Sequence, residues 1–297
     1  GHGDTPFYPQ SLERGRRSVR AVMLAVAEMY IKGVSTRDVE AVMAEFGIES
    51  LSSSQVSRAT KLLDEDLQAW RDRPLGEVSY LFLDARYEKM RHGGVVRDVA
   101  VLSAIGIGPD ERRRVLGVSV ALSEAEVHWR DFLKSLQDRG MHGVKLVTSD
   151  DHAGLKAALA ARLAGVPWQR CQVHLQRNAS AHVPKQAMQP EVHRGIRNVF
   201  DAPSPEEGER RVQAIVQKYE KSAPKLAQWM DENLAEGLTV LTLPPAHRRR
   251  LRTTNMVERL NRELKRRTRI ASVFPNEASL LRLVSAVLME QDAEWET

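Results

Sequence analysis

Hydrophobic positions along this chain recur with two different spacings, and the change from one to the other falls near residue 78. From Arg17 to Gly33, the residues Val19, Val22, Met23, Val26, Met29 and Tyr30 repeat at three and four, the spacing of a helix with one buried face. A second such run, Val39, Val42, Met43 and Phe46, follows the sequence STRD, where Ser35 and Asp38 stand as a capping box, and it stops at Gly47. Serines then open a third helix with Val56, Ala59, Leu63, Leu67 and Trp70 on one side, closed by Pro74. Two short helices, a tight connection and a third helix over residues 17–74 predict a helix-turn-helix. Its third helix turns Ser54, Gln55, Ser57, Arg58 and Lys61 outward, side chains suited to base edges and phosphates. A small helical bundle with a solvated polar face gives the same spacing.

From Val78 the runs VSYLFLDARYEKM, VVRDVAVLSAIGI and RRVLGVSVAL, parted by the turn sequences HGG and GPDE, predict three consecutive strands. A capped helix follows to Gly140, then the apolar strand VKLVTS, then a helix ended by Gly165. That order predicts an α/β core whose later strands are joined through helices. Between residues 184 and 246 strand signals fade, and prolines 184, 190, 203, 205, 224, 244 and 245 bracket helical patches. An all-helical insertion is expected there, between a first part of the core at 75–183 and a C-terminal helical part at 247–297.

Composition narrows the function classes. Hydrophobic residues at 42% and charged residues at 28% exclude a disordered chain, and 297 residues suffice for two domains. The net charge of +5 is modest, but it is gathered: from Arg248 to Arg269 there are ten Lys or Arg against two acids, Glu258 and Glu263. A polyanionic partner follows, with Arg248, Arg249, Arg250, Arg252, Asn255, Arg259, Arg262, Lys265 and Arg266 as candidate DNA contacts. One cysteine, Cys171, excludes an internal disulfide and an all-cysteine zinc site. No apolar run reaches the ~18 residues of a membrane span, and no secretory segment opens the chain, so a cytoplasmic protein without a membrane partner is expected. The opening GHGDT, without Met, reads as a tag remnant, with residues 1–16 as linker.

The candidate chemistry is acidic. Asp84 ends the apolar run YLFLD and Asp150 follows VKLVTS, so two strands deliver carboxylates at the edge where α/β sheets gather ligands. Either residue could instead cap a helix or form a turn. Glu258 lies in the basic stretch, where pairing with Arg262 or a capping box with Asn255 is the ordinary alternative. Taken together, the three acids can hold two Mg²⁺ or Mn²⁺ ions roughly 3.5–4 Å apart, the arrangement that drives in-line phosphoryl transfer.

The stretches YLFLDARYEKMR, VTSDDHAGLKAAL, QRCQVHLQRN and LRTTNMVERLNRELKRRTR, in this order, resemble the Mutator-like transposases of bacterial insertion sequences. The resemblance runs over residues 17 to 290 and implies a DDE triad on an RNase H-like fold, a mixed sheet flanked by helices. It assigns Asp84 as the first acid, Asp150 as the second and Glu258 as the third. Where the family usually has Asp-Gly this chain has Asp150-Asp151, which leaves Asp151 as the competing choice. It also implies two Mg²⁺ or Mn²⁺ ions per site, cleavage of transposon-end DNA, joining of its 3′-hydroxyls to target DNA, a homodimer, and a bacterial, nucleoid-associated location. Cys171 and His174 form the family's CxxH element; lacking two further ligands for zinc, they are expected to be structural supports beside the site. Trp229, in the insertion, is expected in the core in preference to stacking on a base. A structure-selective nuclease without strand transfer and a non-catalytic helix-turn-helix regulator are the competing functions.

Overall fold

The first long element of the computed structural model, which describes residues 17, 21–25 and 53–296, is helix α1, Ser53–Arg71. Its apolar stripe is the expected one: Val56, Leu63, Leu67 and Trp70 are buried, and Ala59 packs against them. Residues 17 and 21–25 are helical; Ala21, Val22, Leu24 and Ala25 join the core cluster that holds α1, and Arg17 pairs with Asp66 at 2.8 Å. The rest of the first expected helix and the whole of the second, residues 35–47, lie outside the described residues, and so does the helix-turn-helix they would form. On α1, Ser54, Ser57, Arg58 and Lys61 are exposed and Gln55 is half-buried.

Strands β1 (Tyr80–His92), β2 (Val95–Ile107) and β3 (Arg113–Ala121) make the expected meander, each pairing antiparallel with the next. The β1–β2 connection is two residues long, and the φ values of +57° and +80° at Gly93 and Gly94 explain why glycines stand there. Helix α2 (Glu126–Asp138) leads to β4 (Leu146–Ser149), and α3 (Ala153–Arg162) leads to β5 (Trp168–Arg170). Both later strands run parallel to their neighbours, giving a five-stranded mixed sheet in the order β3-β2-β1-β4-β5. Helices α4 (Gln172–Ser180), α5 (Gln189–Phe200), α6 (Pro205–Tyr219), α7 (Pro224–Asn233), α8 (Pro245–Leu251), α9 (Asn255–Ala271) and α10 (Glu277–Glu296) complete the chain. Between residues 184 and 246 it forms helices and short 3-10 turns, as the prolines predict.

Side chains alternate across β1, so its two faces enter different clusters. Leu81 and Leu83 pack with Trp129, Phe132 and Leu133 of α2 and Leu155 of α3. Phe82 and Met90 point the other way, into the cluster holding Leu260 and Leu264 of α9 and Leu280 and Leu283 of α10. Polar contacts fix α10 on this side: Asp292 accepts from the Val115 amide at 2.8 Å, and Arg282, buried, pairs with Asp64 of α1 at 2.7 Å. Two details depart from the sequence expectation. The basic stretch is not one helix, since α8 and α9 are separated at Arg252–Thr254, and a three-residue strand, β5, precedes the CxxH element. No described helix is long and apolar enough to cross a membrane.

Candidate active site

Asp84 does not end its strand. β1 continues to His92 because β2 pairs along its whole length, with Asp84 opposite Ser103. On the other edge β4 pairs only with Tyr80, Leu81 and Phe82, so that edge of β1 opens just before Asp84. Phe82 is level with Thr148. Asp84 follows this pair by two residues within β1, and Asp150 follows it by two, just past the end of β4, so both emerge where the two strands part.

Asp150 is not a helix cap. His152 caps α3, its Nδ1 accepting from the Gly154 amide at 3.2 Å, while Asp150 Oδ1 accepts from the Asp151 amide at 2.8 Å. Asp151 is directed elsewhere, 3.6 Å from Lys156 Nζ and 3.7 Å from Arg170 Nη1. The geometry thus separates the adjacent aspartates, leaving Asp150 toward the site.

Glu258 occupies the first turn of α9, and its partner is neither Arg262 nor Asn255. Its Oε1 lies 3.2 Å from Nε2 of His174, whose Nδ1 is 3.9 Å from Asp150 Oδ2. The imidazole therefore stands between Asp150 and Glu258, close to Glu258 through Nε2 and with Nδ1 buried and without a hydrogen-bond partner. Cys171 first, and then the charges of Asp150 and Glu258, lift the His174 pKa to about 8 against the opposing pull of burial. Burial pushes Asp84 up to about 6, opposed by the Asn261 hydrogen bond and the His174 charge.

The placement of α9 is set at two levels. At its start, the backbone amide and hydroxyl of Thr254 both donate to Cys171 Sγ at 3.4 Å, the Gln172 amide donates to the Arg252 carbonyl at 3.0 Å, and the Thr148 hydroxyl donates to the Leu251 carbonyl at 2.9 Å. Further along, Asn261 Nδ2 donates to Asp84, Arg86 Nη1 donates to the Asn261 carbonyl at 2.8 Å, and the Thr268 hydroxyl donates to Glu88 at 3.0 Å. Arg86 also pairs with Glu88. Cys171 thus serves as a buried acceptor. Among the described residues no three His, Cys, Asp or Glu side chains stand together as a metal-holding group.

Sequence reasoning missed Asn261, Arg86 and Glu124. Asn261 is three residues from Glu258, hence on the same helix face, and Arg86 is two from Asp84, hence on the same strand face; both periods carried the signal. Glu124 accepts from the Tyr87 hydroxyl at 2.9 Å, lies 3.8 Å from His152, and its charge also raises Asp84. It sits between β3 and α2, where no period applies. Gly154 lets α3 approach this segment: a Cβ there would lie 2.3 Å from the Glu124 carbonyl oxygen.

The candidate DNA contacts divide. Arg259, Arg262, Lys265 and Arg266 are exposed along α9, with Arg266 paired to Glu263 at 2.7 Å, and Arg249, Arg250 and Asn255 are exposed near its start. Arg248 and Arg252 are half-buried and make contacts within the fold. Arg248 donates to the carbonyls of Leu243, Pro203 and Leu241, and Arg252 to Gln172, Phe200 and Asp201, so both guanidiniums are spent on holding α8 and the α8–α9 elbow. Trp229 packs half-buried against the core and stacks on His182, with ring centroids 5.3 Å apart and an interplanar angle of 21°.

The transposase for insertion sequence element IS406 of Burkholderia multivorans is 57% identical over 293 residues, covering 98% of this chain and 76% of that one. The transposase for ISRM5 of Rhizobium meliloti is 43% identical, over 99% of this chain and 73% of its own. The transposase for IS256 in transposon Tn4001 of Staphylococcus aureus is 36% identical, over 98% and 75%. A solved Drosophila P element transposase strand transfer complex, at 10% identity and a TM-score of 0.31, is too distant to bear on fold or function. The model of the Mutator family of transposases matches residues 3–297, and the chain belongs to that family.

Proposed function

We propose that this chain is a DNA transposase that cuts element ends and joins their 3′-hydroxyls to DNA, with Asp84, Asp150 and Glu258 as its acids. One observation supports the residue assignment: His174 lies 3.2 Å from Glu258 and 3.9 Å from Asp150, while Asp84 is hydrogen-bonded to Asn261 on the helix that carries Glu258 and the exposed arginines. The sheet order β3-β2-β1-β4-β5, with β2 alone antiparallel to both neighbours, supports the RNase H-like reading of the core.

The donor chemistry of the three acids fits Mg²⁺ or Mn²⁺, which take hard oxygen ligands. His174 lies 3.2 Å from Glu258, so an ion drawing on Glu258 competes with the imidazole for it. Bound there, the metal would lower the pKa of an attacking water or hydroxyl and stabilise the leaving oxygen. The chain's own residues do the rest. Asn261 orients Asp84, Cys171 and Gln172 hold the start of α9 and therefore Glu258, and Arg259 and Arg262 lie where a phosphate backbone would pass.

Incubation of the protein with labelled element-end DNA and Mg²⁺ tests the proposal. Joined products are the expected result. Cleaved products without joining would reduce the function to that of a nuclease, and binding without cleavage would remove the catalytic assignment.

A further inference from the structure

A second basic surface lies at the start of α9. The turn between β2 and β3 and helix α8 frame a cavity of about 520 Å³, with Arg112 and Arg113 on one side, Arg249 and Arg250 on the other, and Trp295 of α10 in its wall. The Arg113 guanidinium lies over the Trp295 ring, 5.0 Å from its centroid, which fixes one fork in place. Among the described residues none of the four arginines has an acidic partner within ion-pair distance, and the carboxylate in the cavity wall is that of Glu111. A neighbouring cavity of about 430 Å³ shares Glu111 and Arg250 and adds Lys145.

Four guanidiniums around one hollow repel one another, and the single carboxylate of Glu111 in the wall offsets only part of that charge. Their planar forks match phosphate oxygens. The path from this hollow to the acids is short. Asn255 lines the cavity, and Glu258 follows it by three residues on α9.

Resting on the transposase reading above, we propose that this cleft grips the phosphate backbone of duplex DNA flanking the scissile phosphate. Arg112 and Arg249, exposed and on opposite walls, make the test. The full-length R112A/R249A variant is titrated with a fluorescein-labelled DNA duplex of arbitrary sequence across a salt series, beside a thermal melt. Weaker binding is expected, with the slope of log affinity against log salt shallower by about 0.9 for each phosphate that the variant no longer neutralises. Parent affinity and parent slope would overturn the proposal. Glu111→Gln keeps it testable should the double variant unfold: removing the carboxylate tightens binding if the cleft holds phosphate, and unchanged binding counts against it. If R112A/R249A binds like the parent while Glu258→Gln loses cleavage, the cleft alone fails. If R112A/R249A binds weakly while Glu258→Gln still cleaves, the cleft stands and the three-acid site fails.

Discussion

The two faces of β1 solve different problems with alternate residues of one strand. Toward α2 and α3, Leu81 and Leu83 are wholly buried among apolar side chains. Toward α9, Asp84, Arg86 and Glu88 stand between Phe82 and Met90, and the helix over them is tied down by Asn261, by its own carbonyl at that residue, and by Thr268. The apolar face supplies stability in proportion to the area it removes from water. The polar face supplies little net stability, since each hydrogen bond replaces one to water, but a misplaced helix would leave buried groups unpaired. The difference teaches that the register of α9 on β1 is specified by polar contacts laid over an apolar foundation.

That contrast can be broken from either side. Leu83→Ala should have the largest effect on stability, a loss of about 2–5 kcal/mol in denaturant unfolding, because a fully buried leucine leaves a cavity that its neighbours only partly fill. A loss comparable to that of a surface substitution would mean that this face is not the foundation. Cys171→Ala removes the acceptor of the Thr254 amide and hydroxyl and should cost about 1–3 kcal/mol, the penalty of buried polar groups left unpaired. Metal analysis of the parent should find no stoichiometric zinc; one zinc per chain, removed by a chelator with loss of fold, would give Cys171 a different role. Arg262→Ala should change stability by less than about 0.5 kcal/mol, as surface substitutions do. It should weaken DNA binding and reduce the salt slope by about 0.9, the share of one neutralised phosphate; an unchanged slope would take Arg262 off the backbone track.

The sequence carried what has a period. The buried stripe of α9, Val257, Leu260 and Leu264, recurs at three and four, and the meander of β1 to β3 is written in its apolar runs and turn residues. It did not carry β5, whose three residues include Gln169 and Arg170, both buried. Gln169 is satisfied by the Gly237 carbonyl and the Val240 amide, and Arg170 donates to Asn233 and stands within ion-pair distance of Asp151 and Glu236, partners distant in sequence that no local pattern announces. Asp84 was found for its residue type and misplaced as a strand end, because the limit lies in the short partner β4 and not in β1 itself. The inward turn of Arg248 and Arg252 was hidden for a related reason: a run of like charge reads as one surface until the break between α8 and α9 rotates part of it toward the core.

The central claim is that Glu258 serves the chemistry while the basic residues around it serve binding, and Glu258→Gln separates the two. The substitution keeps size and helix propensity and removes the charge that faces His174. With element-end DNA and Mg²⁺, the variant should melt with the parent, bind DNA as well or slightly better at low salt, and release no cleaved strand. Cleavage near the parent rate would show that the carboxylate is only the partner of His174, and that the three-acid site is wrong.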